Sequence, residues 1–256
     1  MTRPDTTRRT GADKGSATAT KMLALIGVCC AAAAMPLTFT GPAVALPAIS
    51  HDLGGSPIAL NWVTNAFMLT FGSSLMAAGA LADTYGRKRI FLTGLAAFLI
   101  FSASLAFAPD IVWFDILRAL QGIGAAAAFS GGMASLAQEF EGDARMRAFS
   151  IVGSSFGVGL AFGPITSGLM VDSFGWPAMF ALVVVLGAVG FVLGAAFLHE
   201  TRDPEATGLD WPGAASSRWR WHCLPTACCL RPRMAGPARP SWRCCLPRPP
   251  FWSPSG

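Results

Sequence analysis

Six long apolar runs separated by short polar or Gly/Pro-bearing breaks dominate the chain. They cover residues 22–49, 57–82, 90–108, 111–137, 148–171 and 177–198. A helix crosses a bilayer with about 20 apolar residues, so each run predicts one transmembrane helix. The breaks read HDLGGSP, TYGRKR, APD, EFEGDARMR and DSFGWP, and links this short require antiparallel neighbours. Barrel strands would be about half as long and would alternate in polarity, which these runs do not.

Composition agrees with the pattern. The chain is 53% hydrophobic and 13% charged, with mean hydropathy +0.50. A soluble chain would hold about 25% charged residues, so this is an integral membrane protein. The overall charge of +5 misleads if taken whole. Residues 215–256 hold seven Arg and no acid, whereas 1–214 hold 12 basic and 14 acidic residues. Nothing in the body of the chain supports a nucleic-acid partner.

The cations also orient the spans. Arg3, Arg8, Arg9, Lys14 and Lys21 precede the first span. Arg87, Lys88 and Arg89 follow the second, Arg145 and Arg147 follow the fourth, and Arg202 follows the sixth. The three alternate breaks hold no Lys or Arg. The positive-inside rule then predicts that both ends of the six-span unit are cytoplasmic. Residues 1–21 are expected to be a disordered cytoplasmic tail. The run after them is too long for a signal-peptide h-region and lacks a cleavage site.

Arg118 lies within the fourth span, where a guanidinium costs roughly 2.5–3.5 kcal/mol on insertion scales. It must face a polar cavity or a partner. Asp115, three residues earlier on the same helical face, is the expected partner. The residue is then either half of a static ion pair or part of a transport path. Gly122, Gly124 and Ala127 also spell G-x-G-x-x-A, but a dinucleotide site needs a strand and a soluble βαβ unit. The fifth span carries Gly153, Gly157, Gly159, Gly163, Pro164 and Gly168, whose small size lets helices approach closely while Pro164 permits a bend. His51 and His199 sit at span ends and receive no role.

Several of these stretches resemble the major facilitator superfamily of transporters. Gly79–Arg89, GALADTYGRKR, matches the G-x-L-A-D-x-x-G-R-(K/R)-(K/R) pattern of that family's second-to-third loop. Arg118, Gln121, Gly122 and Gly124 resemble its fourth-span motif R-x-x-Q-G-x-G-x-A, whose Arg is associated with proton coupling. Gly159, Gly163, Pro164 and Gly168 resemble the exporters' antiporter motif G-x-x-x-G-P-x-x-G-G, with Ser167 in place of one glycine. Val44–Ile49, Asn61–Phe67 and Gly208–Ala214 are similar to the drug/proton antiporter branch with fourteen spans.

The resemblance implies an all-α integral membrane fold. Residues 22–198 would be the six-span N-terminal half, built of two inverted three-helix repeats. It implies residence in the cytoplasmic (inner) membrane and proton-coupled export of small amphiphilic molecules, with no cofactor and no enzymatic activity. The implied partners are the substrate, protons, the lipid bilayer and a C-terminal half. Asp83, Gly86, Arg87, Lys88 and Arg89, with Gly79, would form a gating loop. Arg118, Asp115 and Gln121 would line the transport path, and Phe67, Met68, Phe71 and Met76 an apolar cavity. Relatives usually carry an Asp in the first span where this chain has Thr38, which cannot titrate, so either coupling moves elsewhere, with Asp115 the candidate, or this protein couples differently. A fragment without transport, or a half that needs a separately made partner, is the competing reading. A membrane enzyme finds no HExxH, no Ser/His/Asp set and no paired His ligands.

Residues 199–214 read as a connector. Beyond them the character changes. Residues 215–256 hold five of the seven Cys, four of the eight Trp and eight of the eighteen Pro. His222, Cys223, Cys228 and Cys229 match no zinc-ligand spacing. A cytoplasmic position argues against disulfides. The composition fits GC-rich DNA read out of frame, and the tail is expected to be disordered.

Overall fold

The computed structural model describes residues 7–201, with side chains from Thr18 onward. Its elements are α1 (Thr7–Leu53), α2 (Pro57–Tyr85), α3 (Arg87–Leu105), α4 (Ile111–Glu139), α5 (Gly142–Phe174) and α6 (Pro177–Phe197). All six are long and apolar enough to cross a membrane. The chain is a multi-pass membrane protein.

Local chemistry starts several helices where the sequence breaks. Ser56 caps α2 by accepting from the Ala59 amide at 3.3 Å, with Pro57 in the first turn, where a missing N–H costs nothing. Asp110 caps α4 by accepting from the Trp113 amide at 2.8 Å. The expected tail at 1–21 is corrected in part, because residues 7–21 continue α1. No proline lies between Pro4 and Pro36 to stop it. A helix already nucleated by the span extends at little cost even through Thr-rich sequence. The remainder of the connector and the tail, 202–256, lie outside the described residues.

The packing follows the inverted repeat. α2 packs along α4 as α5 packs along α1, and α3 lies against α4 as α6 lies against α1. Exchanging α1–α3 with α4–α6 therefore reproduces the neighbour pattern. Odd- and even-numbered helices run in opposite directions. Lys21, the α2–α3 turn, the α4–α5 turn and residues 198–201 meet at one end, called here the basic end. At the other end Trp176 Nε1 donates to Asp52 Oδ2 at 2.9 Å, across the α1–α2 and α5–α6 turns.

Two apolar clusters fill the interior. One, nearer the basic end, includes Leu25, Val28, Phe67, Phe91, Leu95, Phe98 and Leu136. The other includes Ile49, Val63, Leu105, Phe114, Trp176 and Phe180. Phe114, Trp176 and Phe180 meet edge-on, with ring centroids 5.8–6.4 Å apart. Between the clusters lies a buried polar layer.

Candidate functional site

That layer consists of Thr38, Ser102, Arg118 and Gln121, all fully or almost fully buried. Helical spacing places it there. Ser102 lies between Phe98 and Leu105 on α3, and Arg118 between Phe114 and Ala125 on α4, so each helix passes from one apolar cluster to the other at these residues.

Arg118 spreads its donors over three elements. Nε donates to the Val63 carbonyl of α2 at 2.8 Å, and Nη2 to the Thr38 carbonyl of α1 at 2.9 Å. Nη1 donates to Gln121 Oε1 at 2.7 Å. Gln121 Nε2 passes the chain to Ser102 Oγ on α3 at 2.6 Å, and Ser102 donates to the Phe98 carbonyl at 2.6 Å. The guanidinium carbon lies 4.6 Å from the centre of the Phe67 ring, within cation–π range.

The Thr38 bond has a specific cause. In an α-helix the carbonyl of residue 38 takes its donor from the N–H of residue 42, and residue 42 is proline. The backbone of α1 therefore presents an oxygen lacking its helical donor inside the bundle, and Arg118 satisfies it. The Thr38 hydroxyl turns back to the Ala34 carbonyl at 3.0 Å. Thr38 thus contributes its carbonyl to the site rather than its side chain.

The expected Arg118–Asp115 pair does not form. The ion pairs among the described residues are His51–Asp52, Asp83–Arg87, Arg89–Glu200 and Glu139–His199. Arg118 turns toward α1, α2 and Gln121. Asp115, part-buried, keeps a buried Oδ1 without a hydrogen-bond partner. The two residues share a stretch of helix, but three carbonyl-type acceptors in the interior hold the guanidinium away. Carbonyl oxygens carry no formal charge, so the Arg118 cation is solvated rather than neutralised.

The glycines of the fourth-span motif explain how close the neighbours come. A Cβ on Gly122 would strike Thr70 Oγ1 and stand 2.6 Å from the Phe67 carbonyl of α2. A Cβ on Gly124 would stand 2.7 Å from the Phe98 amide of α3. The motif thus turns Gly122 to α2, Gly124 to α3, Arg118 to α1 and α2, and Gln121 to α3.

The fifth-span motif divides. Gly159 lets α5 lie against the Ala33 carbonyl, and Gly163 lies against the Thr40 side chain. Ser167 is accommodated because α1 presents Gly41 to it, where a Cβ would stand 2.7 Å from Ser167 Oγ. Gly168 meets only Val44, and Gly153 and Gly157 meet nothing within 4 Å, so no described helix approaches these three closely. Toward the basic end a groove runs between α1 and α5. A cavity of about 600 Å³ opens there, lined by Met22, Cys29, Cys30, Ser154, Val158 and Leu186 among others. The Ser154 and Ser155 hydroxyls donate to their own helix, to the carbonyls of Ser150 and Ile151, so the lining is effectively apolar.

Of the α2 residues expected to line an apolar cavity, Phe67 turns inward and Met68 and Met76 do not. Phe67 is fully buried and stacks on Phe71 at 6.1 Å, with Phe39 edge-on to both. Met68 and Met76 are exposed on α2. Phe67 therefore serves the core and the Arg118 site.

At the basic end Gly79 and Asp83 belong to helix α2, and the turn itself is Gly86. Arg87 Nε and Nη2 both reach Asp83 Oδ1, at 2.9 and 2.7 Å. This ion pair is local and spans the turn between α2 and α3. Lys88 Nζ donates to the Ala195 carbonyl of α6 at 2.8 Å. Sequence reasoning passed over Ser102, the carbonyls of Thr38 and Val63, Glu139 and His199. Only Pro42 carried a readable signal, the missing amide four residues after Thr38.

Comparison with known proteins agrees with this architecture. The family model of the Major Facilitator Superfamily matches residues 26–255, a range extending past Ala214, where the motif resemblance ends. The drug efflux pump JefA of Mycobacterium tuberculosis is 36% identical over 172 residues, 66% of this chain and 34% of that protein. The tetracenomycin C resistance and export protein of Streptomyces glaucescens is 32% identical over 182 residues, 71% of this chain and 34% of that protein. The chain thus spans about a third of the length of these relatives. A crystal structure of the peptide transporter POT superposes with TM-score 0.63 at 16% identity, over 80% of this chain and 45% of that one. The human organic anion transporter MFSD10 superposes with TM-score 0.58 at 18% identity, over 78% and 53%. At such identities the likeness is one of fold. With the family model covering most of its length, the chain belongs to the Major Facilitator Superfamily.

Proposed function

We propose that this chain is the N-terminal half of a proton-coupled exporter of small amphiphilic molecules. It would reside in the cytoplasmic membrane with its basic end in the cytoplasm. The observation that carries the reading is the buried Arg118 layer, which ties α1, α2, α3 and α4 together at one level of the bundle. A guanidinium solvated only by uncharged acceptors and a ring is sensitive to any charge that develops beside it. Asp115, three residues away with an unpartnered oxygen, supplies a group that can gain and lose a proton in that field. In this mechanism protonation of Asp115 relaxes the local field, and the helices that share Arg118 shift together.

Two features favour an amphiphilic substrate. Relatives are named as drug efflux and antibiotic resistance proteins. The cavity between α1 and α5 offers apolar lining with its hydroxyls already satisfied, which suits a hydrophobic body better than a polar solute. The opposing wall of the transport path would come from a second six-span half, because facilitator sites form between halves.

Ethidium efflux from energised, efflux-deficient cells tests the proposal. The chain is expressed alone and together with the C-terminal half of a close relative. Efflux that requires both halves, collapses with an uncoupler and is lost in Asp115→Asn supports it. Undiminished uncoupler-sensitive efflux in Asp115→Asn would remove Asp115 from the mechanism. No efflux in either setting would favour a fragment without transport.

A further inference from the structure

The α3 helix begins in an unfavourable way. Its first turn is Arg87-Lys88-Arg89, with no acidic residue and no side-chain cap, and Gly86 precedes it. Three cations stand where the helix dipole is positive and the first amides lack partners. Nothing local corrects this, since Asp83 is engaged by Arg87's side chain.

The chain that follows α6 corrects it. The Arg87 amide donates to the Thr201 carbonyl at 3.0 Å. Glu200 Oε2 lies 3.6 Å from Arg89 Nε, and Glu200 Oε1 occupies the place where a Cβ on Gly86 would stand. Gly86 has φ +111°, so the position favours glycine for its backbone as well as for this contact. The start of the segment is fixed separately. The His199 amide and ring Nδ1 both approach Glu139 Oε1 at the end of α4, at 3.2 and 2.7 Å. Lys21 of α1 holds the Glu139 carbonyl at 2.8 Å.

We infer that His199-Glu200-Thr201 is a cap supplied to α3 by the chain leaving α6, with Glu200 and Glu139 as positioning residues for the basic turn. Thr201 satisfies an amide that α3 cannot satisfy itself, Glu200 supplies the missing anion, and Glu139 anchors the strap. The consequence goes beyond the export reading. Displacing residues 198–201 uncaps α3 and frees the Asp83–Arg87 turn, so the chain leaving α6 and the turn between α2 and α3 move as one mechanical unit.

Hydrogen exchange of the full chain in lipid nanodiscs tests the cap. Glu200→Ala and Glu200→Gln should each speed exchange in residues 86–90 by about fivefold or more, the scale of one lost capping interaction. Residues 95–105 of α3 and the length of α4 should stay protected. Adding Arg89→Glu to Glu200→Ala should restore protection, because it places an acid in the first turn of α3 itself. Unchanged exchange at 86–90, acceleration spread evenly over all helices, or failure of Arg89→Glu to rescue would each overturn the cap. If Glu200→Ala does not fold, the milder Glu200→Gln is judged by the same criterion, with and without Arg89→Glu.

Discussion

Arg118 shows how one residue organises the bundle interior. A buried guanidinium is expensive, and this one is held by carbonyl oxygens, an amide oxygen and a ring. The arrangement predicts coupling between Pro42 and Arg118. Arg118→Ala leaves the Thr38 carbonyl without a donor, and Pro42→Ala restores a backbone N–H to it. A double-mutant cycle on the purified chain, read by unfolding in detergent, should give a coupling energy of about 1–2 kcal/mol. Strict additivity of the two changes would show that Arg118 does not replace the missing amide. Ser102 has a similar role at lower stakes. Ser102→Ala strands Gln121 Nε2 and should cost about 1–3 kcal/mol in the same assay, while no loss would mean that Gln121 finds another acceptor.

Between helices, the glycines sort by what stands opposite them. Gly124→Ala places a methyl group against the α3 backbone, which has no rotamer to yield. A loss of about 1–3 kcal/mol is expected for such overpacking. Gly157→Ala meets open space and replaces a poor helix former, so unchanged stability or a gain of up to about 1 kcal/mol is expected. Thermal unfolding of the two variants in one detergent compares them directly, and equal losses would contradict the packing. The sequence showed small residues throughout α5 but not which of them face α1. Facing depends on the azimuth at which two helices meet, and a glycine stripe specifies that poorly when it covers more than one side.

For the whole molecule, the charge pattern and the packing agree on one polarity. Lys21, Arg87, Lys88, Arg89, Arg145 and Arg147 lie at the basic end, and no Lys or Arg stands in the described turns at the other. With the basic end cytoplasmic, Pro109→Cys should react with an impermeant thiol reagent in intact cells, and Glu141→Cys only after permeabilisation. The reverse pattern would invert the topology. The uncovered glycines of α2 and α5, Gly72, Gly79, Gly153 and Gly157, mark faces with room for another helix to come close. A six-helix unit with such faces fits half of a two-part transporter.

The number of spans, their approximate limits and their order were legible because the bilayer imposes a length and an apolarity that a sequence must display. All six helices begin or end within a few residues of a polar, Gly or Pro break. The fourth-span motif likewise announced an interior Arg. What the sequence could not display was the partner of that Arg. Asp115 was the local choice at i−3, yet the backbone acceptors came from residues 55 and 80 positions away, the second a carbonyl exposed by a proline. The same holds for the cap on α3, whose donor and acceptor are over a hundred residues apart. Periodicity and membrane thickness act along the chain and can be read from it. Hydrogen-bond partners are chosen among groups that folding brings together, and only the tertiary structure decides between them.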